Sequence, residues 1–124
     1  MMKLSVILIA GAAAMAFAGS AMAQGACTAP TAPATVDGAA ATLEQLVANK
    51  NEVAGFIAAS DAYQTCVVKD LAARNAAAKQ AKTKVDPAVV KAAQDALDAN
   101  QADKERVGTA FNTAAKAYKT AHPS

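Results

Sequence analysis

Few side chains in this 124-residue chain could do chemistry, and the two that stand out are its only cysteines, Cys27 and Cys66. Two thiols can form a structural disulfide, ligate a metal or cycle between redox states. The last two roles fit poorly, because no Cys-x-x-Cys is present and no histidine lies near either thiol. The single histidine, His122, stands near the end of the chain, where it is expected to fray. Alone it makes neither a metal site nor a Ser-His-Asp set. No Cys-x-x-Cys-His marks covalent haem, and no glycine-rich loop is built to hold phosphate. Gly55 and Gly108 are isolated in helical sequence and are expected at close-packing positions. Asp95, Asp98, Asp103 and Glu105 could act as acids or bases, but their spacing puts them opposite an apolar stripe, on a solvated face. No catalytic, cofactor-binding or metal-binding residue is assigned, and the chain is expected not to be an enzyme.

The fate of the thiols depends on where the chain works. Lys3 is followed by an apolar stretch from Leu4 to Ala18, then by Ala21-Met22-Ala23. This pattern predicts an export signal over residues 1–23, cut between Ala23 and Gln24. The apolar run of about 15 residues falls short of the roughly 20 that span a bilayer. A lipid on Cys27 is the other option for that end. However, the third residue before it is Gln24, where lipoprotein signals carry an aliphatic side chain. The expected location is the periplasm or the outside of the cell, where disulfides persist. A Cys27–Cys66 bond is expected there, worth roughly 4 kcal/mol in the chain-entropy treatment of loop closure.

The elements that must position these groups are helical. Alanine supplies 37 of the 124 residues, and tryptophan is absent. Alanine has the highest helix propensity, and no stretch beyond residue 42 alternates with strand period. Residues 24–41 differ: Pro30, Pro33 and Asp37-Gly38 predict an extended arm that ends in a reversal. Thr42-Leu43-Glu44-Gln45 fits a capping box. Asp86-Pro87 fits a second helix start, with Val85 and Val90 as a hydrophobic staple. The prediction is all-α: a long antiparallel two-helix hairpin over about 42–83 and 87–121, in a domain of residues 42–124.

Side-chain spacing supports the hairpin. Leu46, Asn49, Val53, Phe56, Ser60, Tyr63 and Val67 recur at alternating steps of three and four. Val90, Ala93, Leu97, Asn100, Lys104, Val107, Phe111, Ala114 and Tyr118 do the same on the second helix. The polar members Asn49, Ser60, Asn100 and Lys104 either fix register or partner number, which is the expectation, or face solvent at a splayed end. A second apolar edge, Leu43, Val47, Ile57, Val68 and Leu71, widens the first helix beyond what one partner helix covers. Either the arm covers it, or a second copy does, giving a homodimeric four-helix bundle.

Cys66 shares a stripe with Ala48, Gly55, Ala59, Ala62 and Ala73, a shallow groove into which the arm is expected to settle. The reach is sufficient. Thr42 to Cys66 is about 36 Å along a helix, and Cys27 to Thr42 is about 46 Å extended. The arm can therefore turn at Asp37-Gly38 and run back to meet Cys66.

Net charge is +2, too small to steer the whole chain toward nucleic acid. Arg74, Lys79, Lys82, Lys84 and Lys91 nevertheless gather at the interhelix turn. They complement the helix dipole there, and they form a candidate interaction tip for weak contact with an anionic envelope surface. No aromatic side chains interleave with them, so nucleic acid is not an expected partner.

Three pieces carry a resemblance: Ala26-Cys27-x-Ala29-Pro30-x-Ala32-Pro33, Asp37-Gly38-Ala39-x-Ala41-Thr42, and Ser60-Asp61-Ala62-Tyr63-Gln64-Thr65-Cys66. They resemble small exported proteins of Gram-negative bacteria with a proline-rich arm, an Asp-Gly turn and a Tyr-x-x-Cys helix. The resemblance covers roughly Cys27 to Cys66. It implies a periplasmic or secreted helical protein and no activity. The functional expectation is protein–protein or envelope-surface contact, with another protein or a second copy as partner. The alternative is binding of a small molecule or lipid in a cavity lined by Leu43, Leu46, Val53, Phe56 and Phe111.

Overall fold

Thr42 opens the first helix as its sequence predicts. The Gln45 N–H donates to the Thr42 hydroxyl at 3.1 Å, and the Thr42 N–H donates to the Gln45 side chain at 2.9 Å, closing the capping box. In the computed structural model, which describes residues 27–124, α1 runs Leu43–Gln80 and α2 runs Pro87–Ala121. The expected export signal and its cleavage point at Ala23 and Gln24 lie outside the described residues. Asp86 caps α2, taking the Ala88 N–H at 2.9 Å, and Pro87 fills the first position, where no N–H is needed.

The first helix stops three residues before the expected Thr83. The Thr83 N–H reaches back to the Ala78 carbonyl at 2.8 Å, and the Lys82 N–H to the Lys79 carbonyl at 3.1 Å. This paired closure is a Schellman stop. It puts Lys82 at φ 57°, in the left-handed region that glycine normally occupies.

The two helices pack against each other along the expected seam. All seven seam residues of α1 are buried, from Leu46 to Val67. On α2 only Ala93, Asn100, Val107 and Ala114 are buried, while Leu97, Lys104, Phe111 and Tyr118 are half-buried and the expected seam residue Val90 is exposed. The interior is a narrow line with two clusters, one at Val53, Phe56 and Val107, the other at Tyr63, Val67 and Ala93.

The arm completes both clusters. Ala32 packs on the first and Cys27 on the second. Cys27 is bonded to Cys66 with 5.7 Å between Cα atoms, across 39 positions of sequence. The arm runs back toward the start of α1, as its reach allows, but its seat differs from the expected one. Ala48, Gly55, Ala59, Ala62 and Ala73 are all exposed. The arm lies instead between the helices, with Pro33 to Thr35 beside Asn49, Val53, Val107, Ala110 and Phe111. An extended backbone gains more contact from the walls of two helices than from a stripe on one.

The arm ends where Gly38 meets α2. A Cβ at Gly38 would collide with the Ala114 carbonyl and stand 2.8 Å from the Ala114 Cα. Gly55 and Gly108 are not at close-packing positions, since a Cβ at either would meet nothing within 4 Å. The three glycines therefore predict opposite outcomes. Gly38→Ala should lower unfolding free energy by about 1–3 kcal/mol, because the turn must lift off the helix. Gly55→Ala should raise it by about 0.5–1 kcal/mol through helix propensity alone. Urea midpoints of the two variants check both signs.

Candidate functional site

The polar side chains within the hairpin bind one another. Asn100 Nδ2 donates to the Ser60 hydroxyl at 3.2 Å, and its Oδ1 accepts from Gln64 Nε2 at 2.9 Å. Lys104 pairs with Asp61 across the same interface. These are cross-helix bonds, as expected of residues that fix register. Asn49 is different: its Nδ2 donates to the Ala34 carbonyl of the arm at 3.0 Å. Gln64 and Asp61 were not apparent from the seam pattern because they flank it. No buried side-chain polar atom among the described residues lacks a partner.

The groups considered for chemistry are dispersed. Asp95, Asp98, Asp103 and Glu105 are exposed and engage local partners Lys91, Gln94, Arg106 and Gln101. His122 is exposed at the end of α2. Its ring stacks on Tyr118 with centroids 4.2 Å apart, and its Nδ1 lies 3.0 Å from the Tyr118 carbonyl. The residues named for a ligand cavity do not enclose one. Leu46, Val53 and Phe56 are packed in the core, while Leu43 is 59% exposed. The void beside Phe111 is about 10 Å³, filled out by the arm. That is barely room for a single water.

Two surfaces remain. The first is the flank opposite the arm. Gln64 and Cys66 point about 160° apart around α1, so a strap bonded to Cys66 cannot cover Gln64. On that open flank Leu43, Val47, Val68 and Val90 are 59%, 48%, 54% and 41% exposed. An open groove of about 670 Å³ runs along it, with Gln64, Val68, Leu97 and Gln101 among its walls. Of the two expected covers for the wide apolar face, the arm is not the one.

The second surface is the turn end, where the five basic residues of the candidate tip separate into two groups. Arg74 pairs with Asp70 at 2.8 Å and Lys91 pairs with Asp95. Lys79, Lys82 and Lys84 are exposed and have no ion-pair partner among the described residues. The carboxylate nearest in sequence, Asp86, makes no ion pair with them and accepts the Ala88 N–H as the cap of α2.

No protein-family model, no curated protein and no solved structure matches this chain.

The disulfide and a buried phenol provide two checks on the geometry that fixes these surfaces. Cys66→Ala should cost roughly 4 kcal/mol for the 39-position loop. It should also free the arm for proteolysis, which limited digestion followed by mass measurement would report. Burial raises the Tyr63 phenol above its ordinary 10.0. The unfolded chain therefore releases this proton first. The stability involved is intact below pH 10 and is lost as pH rises through the folded value. Urea midpoints measured against pH should fall on that alkaline limb, and Tyr63→Phe should flatten it.

Proposed function

We propose that this chain is a non-enzymatic exported protein that acts by contact, presenting the open flank of its hairpin to a protein surface. A second copy of itself is the first candidate. The carrying observation is the exposure of Leu43, Val47, Val68 and Val90 on the flank the arm leaves bare. A small domain gains from burying such side chains against a partner. The groove beside Val68 gives that partner a concave track.

Export is part of the same proposal. The Cys27–Cys66 bond suits an oxidising compartment. No helix among the described residues is long and apolar enough to cross a membrane. The signal-like pattern over residues 1–23 supplies a route to the periplasm or beyond.

Light scattering on the oxidised protein should give the mass of a dimer at high concentration. Val68→Glu should return it to a monomer, with the helix content unchanged by circular dichroism. A photo-cross-linker placed at Val68 in living cells should join two chains, while one at Ala59 on the small-residue stripe should not. A monomer at all concentrations, with no preference for Val68 over Ala59, would reject the proposal.

A further inference from the structure

We infer that the turn end of the hairpin, bearing Lys79, Lys82 and Lys84, is a docking surface for the anionic headgroups of a lipid bilayer. This site is distinct from the open flank and does not depend on its proposed role. Three lysines fall within six positions and stand exposed without a counter-ion. The remaining tip cations, Arg74 and Lys91, are already paired along their own helices. The far end of the hairpin mixes signs instead, with Glu44 in the first turn of α1 and Lys119 in the last turn of α2.

The backbone points the same way. Lys82 sits at φ 57° at the one position of the helix stop where glycine is strongly favoured. A lysine there is strained and gains nothing from packing, since it is exposed. What it adds is an exposed charge in the turn. The hydrogen bonds of Thr83 and Lys82 back into α1 fix the backbone that carries it.

The chemistry selects the partner. Lysines act as point charges toward phosphate, and a field of headgroup phosphates engages several at once. Single-stranded nucleic acid calls for aromatic stacking, and among the described residues the aromatic side chains Phe56, Tyr63, Phe111 and Tyr118 all lie away from the turn in sequence.

The test is flotation of the oxidised full chain with vesicles of phosphatidylcholine alone, or of phosphatidylcholine mixed with phosphatidylglycerol. Binding should appear only with phosphatidylglycerol and weaken as salt rises. The triple variant Lys79→Gln, Lys82→Gly, Lys84→Gln should bind about 100-fold more weakly, each lysine contributing about fivefold. Lys82→Gly alone should lose about fivefold while its thermal midpoint rises, which separates lost charge from lost folding. Millimolar inorganic phosphate should not displace the protein. Absence of binding, equal binding to both vesicles, undiminished binding by the triple variant, or release by inorganic phosphate would each overturn the inference.

Discussion

The seat of the arm between the two helices is the constraint on which the rest of this structure depends. Two facing helices share one seam, and here small Ala93 and Ala114 and polar Asn49, Ser60, Asn100 and Lys104 interrupt its larger apolar residues. Ala32 and Cys27 add a third wall to clusters that would otherwise lie open on that side. The arm is held at its two ends by different physics. At Cys27 the hold is covalent and acts mainly by restricting the unfolded chain. At Gly38 it is steric and local: Asp37 takes the Ala40 and Ala41 N–H groups on its carbonyl and the Ala39 N–H on its carboxylate, and the turn lies against Ala114. Between the two ends an extended backbone has no ladder of its own. Asn49 supplies one of the missing partners, at Ala34.

Register between the helices needs a separate device. On α2 the buried seam includes Ala93 and Ala114, which offer little shape against a slip, so polar contacts add to the discrimination. Ser60 is wholly buried, and its hydroxyl meets Asn100, which in turn accepts from Gln64. Sliding α2 by a turn would strand the buried Ser60 and Asn100 groups, at a cost of about 1–3 kcal/mol for each unsatisfied polar atom. The polar layer thus performs the discrimination that alanine cannot, in the manner of a single polar residue in a coiled-coil seam.

Much of this was legible in the sequence, and the failures have physical causes. The seam of α1, both helix starts and the direction of the arm follow from side-chain period, capping chemistry and reach, all of which are local or one-dimensional. The arm's seat is neither. It is a groove between two helices, and which flank closes depends on a relation between α1 and α2 that no single stripe encodes. The residues of α2 that admit the arm, Ala96, Ala110 and Ala114, are lost among 37 alanines. Asn49 looks identical to Ser60 by position because docking an arm and fixing register both need an inward polar group. The early stop of α1 has no glycine to announce it, since Lys82 takes the left-handed position. Gly55 and Gly108 gave a signal of close approach where nothing approaches.

The disulfide also decides which surfaces remain free. A two-helix hairpin has two open flanks, and Cys66 lies on one of them, so closing the bond commits the arm there and leaves Val47 and Val68 on the other. A partner on the open flank need not disturb the tether. The lysines stand at the end of the hairpin, in a third direction, so contact there leaves the flank accessible. The 38 residues of α1 extend about 57 Å. A particle resting on its turn end would hold Val68 about 18 Å and Leu43 about 55 Å from the surface it touched. The turn lysines and the exposed Leu43, Val47 and Val68 of α1 thus lie at different places along the hairpin.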